Sequence, residues 1–221
     1  MKSWTRADIQ AMQQRYRAMF INSLSGFKSA NLVGTTDANG NENLCIVSSV
    51  FHIGADPALM GMITRPQSVR RDSVANIKAT GYYTLNQVNT DIVVAAHQTS
   101  ARYEADISEF TETGLTAHYE PGFVAPFVAE SQLRIGLKLV ETKLLEINQT
   151  ELIIGEIMLV QSKESALEPD GSIDIEQLNS VAISGLDRYH STQKITRLSY
   201  AKPHSQPEEL LFDTPDQTSQ E

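Results

Sequence analysis

Between Asn31 and Thr64, three apolar, β-branched-rich runs, NLVGTT, ENLCIVSSVF and ALMGMIT, are separated only by DANGN and HIGADP. A crossover between parallel strands takes about a dozen residues or more, so spacers this short join antiparallel neighbours. Asn39-Gly40 in the first spacer is a strong tight-turn signal, and the three runs read as an antiparallel meander. Farther along, GYYTLNQV resumes a strand once Gly81 has broken a helical pattern. LRIGLKLVETKLLEIN and ELIIGEIMLVQSK then read as two long strands joined at Asn148-Gln149-Thr150. The strands, about six or seven in all, cluster in hairpins instead of alternating with helices. That arrangement disfavours a doubly wound sheet and predicts a mainly β fold, a small antiparallel barrel with peripheral helices.

The helices are expected at the edges. Thr5 opens a helical pattern of Ile9, Met12, Tyr16, Met19 and Phe20, giving an N-terminal helix within residues 1–22. Residues 68–79 read as a second helix, and residues 91–112 as one or two more, interrupted near HQTSARY. After a turn at EPDGS, IDIEQL reads as a short amphipathic segment, and AISGLDRYHSTQKITRLSYAKP is too rich in specific polar groups to be only a linker. With 221 residues and 41% hydrophobic content, the chain fits one domain over residues 1–203. Residues 204–221, rich in acids and without Lys or Arg, read as a disordered tail.

The net charge of −9 argues against a nucleic-acid-binding surface, which needs a basic face. Part of that charge sits in the tail, however, so a local basic pocket is still compatible with it. The one cysteine, Cys45, cannot form an internal disulfide, and the five histidines are scattered, so no metal site is expected. No leader-like segment and no apolar run of about 18 residues occurs, which predicts a soluble cytoplasmic protein that does not enter a membrane.

The chain lacks a glycine-rich dinucleotide or phosphate loop, a G-x-S-x-G elbow and an H-E-x-x-H helix. No nucleophile has an identifiable base, so any catalysis falls to a cofactor. TRPQSVRRDSVANI offers Arg65, Arg70, Arg71 and Ser73 at a helix start, a pattern suited to phosphate and equally to a solvated basic helix end capped by Asp72. Ser48-Ser49 after LCIV can face the polar edge of a planar ring or simply end a strand. His190, in GLDRYHSTQK, is a functional candidate with a packing role as its alternative. Cys45 reads as a small buried hydrophobe, and His97 as a helix-end hydrogen bonder.

These residues together resemble the flavin reductase-like family of FMN-binding split barrels. The resemblance is carried by NLVGTTDANGNENLCIVSSVFHIGADPALMGMITRP, SVANIKATGYYTLNQV, AAHQTSARYEADISEF and GLDRYHSTQKITRLSYAKP, and it runs from the N-terminal helix to Pro203. It implies an antiparallel, Greek-key-like split barrel that forms a homodimer with FMN near the subunit interface. It also implies that Val47, Ser48 and Ser49 lie along the isoalloxazine edge. Arg65, Arg71 and Ser73 would contact the phosphate, with Asn86, Thr99 and Ser100 nearby. The implied activity is hydride transfer from transiently bound NAD(P)H to flavin N5 and on to a second acceptor, with His190 as a catalytic candidate. A flavin-binding redox carrier or sensor working with a protein partner is the alternative. Asp72, where family members often carry a histidine, also leaves open a barrel that binds no flavin.

Overall fold

The computed structural model describes residues 1–66, 72–104 and 106–211. Its helices are α1 (Arg6–Ala11), α2 (Gln14–Ser23), α3 (Asp72–Thr80), α4 (Val93–Gln98) and α5 (Glu109–Thr113). The strands begin with β1 (Phe27–Ser29), β2 (Asn31–Thr36), β3 (Glu42–Val47), β4 (Val50–Ala55), β5 (Ala58–Thr64) and β6 (Tyr82–Gln87). There follow β7 (Ala117–His118), β8 (Phe127–Val128), β9 (Leu133–Leu145), β10 (Thr150–Ser162), β11 (Ala182–Ser184), β12 (Arg188–His190), β13 (Arg197–Leu198) and β14 (Glu209–Leu210).

Seven strands form one antiparallel sheet in the order β3-β2-β6-β9-β10-β5-β4. Its two edge strands, β3 and β4, are neighbours in sequence, joined only by Ser48-Ser49. Laid flat, the edges of such a sheet would stand about 29 Å apart at the usual strand spacing. Three Cα steps span at most about 11 Å. The sheet therefore has to curl until its edges meet, which makes it a barrel split at the Ser48-Ser49 joint. The joint is fastened to β5 as a further rung of the β4–β5 ladder: Ile63 N–H donates to Ser49 O at 3.3 Å, and Ser49 Oγ donates to Ile63 O at 2.6 Å.

Side-chain alternation divides the core between the two faces of the sheet. Inside the barrel, Val33, Met62, Tyr83, Leu85, Ile135, Leu137 and Ile153 pack with Val74 and Ile77 of α3. Outside, Leu32 and Leu44 pack with Ile92 and Ala96 near α4, Phe110 of α5, and Val181 and Ile183 around β11. Close packing explains two glycines. A Cβ on Gly34 would lie 2.2 Å from Pro126 O, and one on Gly155 would lie 2.3 Å from the Tyr83 hydroxyl.

Several elements differ from the sequence reading. ENLCIVSSVF is not one run, because the chain turns at Ser48-Ser49, and HIGADP supplies most of β4 instead of a spacer. Phe51, His52 and Ile53 of that edge strand are exposed, so its burial pattern does not mark it as core. The N-terminal helix is two helices. Thr5 and Asp8 form a reciprocal capping box at the start of α1, and extended backbone at Met12 and Gln13 separates it from α2. α3 begins at Asp72, and the expected start at Ser68 lies outside the described residues. IDIEQL is a run of turns pinned by Asp174, which accepts from the Glu176 and Gln177 amides. β14 pairs with β13 beyond Pro203, where the sequence reading starts the tail, and residues 212–221 lie outside the described set.

Candidate functional site

Curling the sheet brings the β3–β4 joint, the end of β5 and the start of α3 around one cavity of about 730 Å³, within the size range of small-molecule sites. The joint contributes Val47, Ser48 and Ser49; β5 and the residue after it contribute Ile63, Thr64 and Arg65; α3 contributes Asp72, Ser73 and Val74. Thr99 and Ser100 close one side behind α4, and Ile183, Leu186 and Tyr189 close another. Seven of the residues singled out in the sequence, Val47, Ser48, Ser49, Arg65, Ser73, Thr99 and Ser100, thus share one cavity. Arg70 and Arg71 lie outside the described residues.

Two other candidates are placed elsewhere. Asn86 is fully buried; its Nδ2 donates to Leu32 O and Thr84 Oγ1, and its Oδ1 accepts the Val128 N–H, so it ties β6 to β2 and β8. His190, the last residue of β12, turns away from the cavity: its Nε2 meets Ser184 Oγ at 2.8 Å and its ring packs on Phe27 at 4.8 Å. Neighbouring strand residues point to opposite faces, so it is Tyr189 that lines the cavity. The Tyr189 hydroxyl meets Nδ1 of His97, at the end of α4, at 2.9 Å. Burial, with Asp187 adding to it, holds the Tyr189 phenol above its usual pKa.

A polar wall absent from the sequence reading runs along the other side. Glu109, in the first turn of α5, is buried; its Oε2 accepts the Leu44 N–H at 2.9 Å and Asn43 Nδ2 at 2.8 Å. With its amide nitrogen turned to Glu109, Asn43 presents Oδ1 to Ser73, whose hydroxyl donates to it at 2.6 Å. That leaves Ser73 Oγ as acceptor in its 3.1 Å contact with Cys45 Sγ. Burial pushes the Glu109 carboxyl up, its three hydrogen bonds oppose that rise, and the nearby Asp72 charge adds to it. Period-two alternation from Val47 back through Cys45 to Asn43 was the one signal in the sequence for this wall.

The lining fits a flavin in shape and chemistry. Val33, Ile46, Met62 and Val74 offer apolar surface to a planar ring, and the Ser48 hydroxyl and the main chain of the joint offer polar groups at its edge, the Ser49 hydroxyl being bonded to Ile63 O. Thr99 is less available, because its hydroxyl donates to Ala96 O at the end of α4. Arg65 and Arg102 supply positive charge for a phosphate, opposed by Asp72, Glu104 and Glu109 on the same lining. Among the described residues, no group of three His, Cys, Asp or Glu is placed to hold a metal ion, and no helix is long and apolar enough to cross a membrane.

Comparison with known proteins agrees with this architecture. A chain from Shewanella frigidimarina NCIMB 400 with a split barrel domain, assigned provisionally to the flavin reductases, is 54% identical; the match covers 91% of this chain and 100% of that one, with a TM-score of 0.88. Nitrilotriacetate monooxygenase component B from Bacillus cereus shares the fold at 19% identity and a TM-score of 0.78, over 90% of this chain and 98% of that one. The flavoredoxin of Desulfovibrio vulgaris (Miyazaki F) does so at 23% identity and a TM-score of 0.68, over 93% and 98%. The family model described as the flavin reductase like domain matches residues 24–176. The split barrel, its cavity and this match place the chain in the flavin reductase-like family.

Proposed function

We propose that the chain is an FMN-binding oxidoreductase that takes a hydride from NAD(P)H and passes electrons to a second acceptor. The observation that carries this reading is the convergence, in one cavity, of the Val47-Ser48-Ser49 joint with Arg65, Ser73 and the Thr99-Ser100 pair. A bound flavin would accept and return the hydride at N5. The chain's own residues supply the rest. Ser48, with the main chain of Val47 and Ser49, holds the polar edge of the ring and stabilises negative charge there. Arg65 and Arg102 face the phosphate, and the carboxylates around them keep that grip moderate. The apolar lining excludes water from the ring face. No dinucleotide fold is needed for a nicotinamide that only stacks transiently on the ring.

The homodimer is part of the same proposal. Neither α1 nor α2 contains a buried residue, and Trp4, Tyr16, Ile21, Leu24 and Phe27 are exposed along this N-terminal segment. Val140, Leu144, Met158 and Val160 are exposed on the β9–β10 hairpin. A second copy is the natural cover for such surface, and sedimentation should give twice the 24.4 kDa of the chain.

The test of the activity is the absorption spectrum of the FMN-loaded protein mixed anaerobically with NADH or NADPH. Rapid bleaching with one of them is expected. FMN binding without bleaching by either would leave the chain as a redox carrier for a protein partner, a reading to which the acidic residues after Pro203 lend charge. Absence of FMN binding at equilibrium would overturn both.

A further inference from the structure

Tyr189 and His97 are not among the residues assigned above to the flavin, yet both line the cavity. They come from elements 92 residues apart in sequence, the end of α4 and the short edge strand β12. Two contacts fix them relative to each other: the 2.9 Å hydrogen bond and an edge-on ring contact at 5.8 Å and 87°. Tyr189 is half-buried and His97 is exposed. Among the described residues, the Tyr189 hydroxyl has His97 as its one hydrogen-bond partner. If His97 Nδ1 carries its proton, it donates to the phenol oxygen, and the phenol's own proton is free to point into the cavity. The result is a path from solvent through His97 to an acid beside the proposed ring.

Resting on the flavin reading above, we propose that Tyr189 is a catalytic acid, with His97 as its positioning and reprotonating residue, and that the second acceptor is an organic molecule with an electron-poor double bond reduced inside this cavity. A reductase that only releases reduced flavin has no use for such an acid. Reduction of a conjugated carbonyl compound does. With reduced flavin bound, the cofactor, its electrons drawn from NAD(P)H, would supply the hydride for the Cβ–H bond as the C=C π bond breaks, and Tyr189 would give the proton that forms the Cα–H bond. The phenolate left behind takes the His97 Nδ1 proton, and solvent restores His97. The Tyr189 phenol has its proton to give at neutral pH, as any ordinary phenol does, and burial moves it further in that direction. The other titratable groups on the lining, Tyr103, Glu104, Glu109, Asp72, Arg65, Arg102 and Cys45, and Asp187 beside Tyr189, belong in the pH profile.

The experiment uses the FMN-loaded full chain with NAD(P)H and two acceptors, 2-cyclohexen-1-one, which needs hydride plus proton, and ferricyanide, which needs electrons only. Tyr189→Phe is expected to slow enone reduction about 100-fold more than ferricyanide reduction, the usual size of a general-acid effect. It should also abolish the solvent isotope effect on the enone. His97→Ala should lose the enone reaction similarly and recover it with added imidazole. Equal slowing of both acceptors, or enone turnover untouched by Tyr189→Phe, overturns the proposal. A readout independent of turnover is nitrogen NMR of His97 in the flavin-free protein. A protonated Nδ1 that changes environment in Tyr189→Phe is expected, whereas an unprotonated Nδ1 would commit the phenol proton to His97 and overturn the relay. Wild type that binds and is reduced by NAD(P)H but leaves the enone untouched sinks this inference alone. Wild type that binds no FMN sinks the flavin reading and this inference with it.

Discussion

The two long walls of the cavity are built in different ways. The strand wall, Val47-Ser48-Ser49 and Ile63-Thr64-Arg65, is held mainly by the main chain: the backbone of β3 and β5 and the Ile63 N–H to Ser49 O bond set its shape, with the Ser49 hydroxyl adding one bond to Ile63 O. Its side chains are left largely to a ligand. The polar wall is a side-chain assembly in which Glu109, Asn43 and Ser73 join α5, β3 and α3 across separations of 30 to 66 residues. Its polar groups satisfy one another. Side-chain changes in the strand wall should therefore alter binding at little cost to stability, and changes at Glu109 and Asn43 in the polar wall should do the reverse, with Ser73 belonging to both the wall and the cavity.

The largest effect is expected from Glu109→Ala. It leaves the Leu44 N–H, on the edge of β3, and the Asn43 amide without their acceptor. Each orphaned donor costs about 1–3 kcal/mol, so the loss should total about 2–6 kcal/mol, read as a lower urea midpoint at an unchanged slope. Next comes Arg65→Ala, which should weaken FMN binding by about 1.5–3 kcal/mol in equilibrium titration while the urea midpoint stays put. A shifted midpoint with unaltered affinity would reverse the assignment of the two walls. Ser49→Ala should be milder, about 1 kcal/mol of stability, because the Ile63 N–H to Ser49 O bond survives the loss of the hydroxyl. A much larger loss would show that the fastening of the joint to β5 depends on the side chain and not on the main chain.

The same contrast explains what the sequence made legible. β2, β5 and β6 stand out as β-branched runs bounded by turn residues, and they form close to the expected limits. The β3–β4 break is hidden, because Ser48-Ser49 interrupts an apolar stretch without Gly or Pro, and β4 is hidden because an exposed edge strand lacks a core pattern. In the site, the strand wall could be read because its residues are contiguous in sequence. Glu109 could not, since nothing near it in sequence shows that β3 needs an acceptor there. Tyr189 and His190 differ by one step on a strand, and that step decides which of them faces the cavity. Asn86 is polar because it binds main-chain groups of β2 and of β8, a demand visible only once those strands are together.

The smallest expected effect is a slope instead of a step, and it concerns the charge at the centre of the polar wall. Burial holds the folded-state pKa of Glu109 above the ordinary glutamate value of 4.5. Between that value and the raised one, the folded chain binds more protons than the unfolded chain, so its stability falls as pH rises through the window. The penalty is absent below the ordinary value and complete above the folded one. Glu109→Gln has no such proton, while its amide oxygen can still accept from both Leu44 and Asn43. The difference in unfolding free energy, wild type minus Glu109→Gln, should therefore drift against the wild type as pH rises from 4.5, then level off. A flat difference would mean that the three hydrogen bonds cancel the cost of burial. A drift in the other direction would mean that they exceed it, and the polar wall would then be a site that favours the carboxylate, so that the contrast with the strand wall would rest on charge as much as on construction.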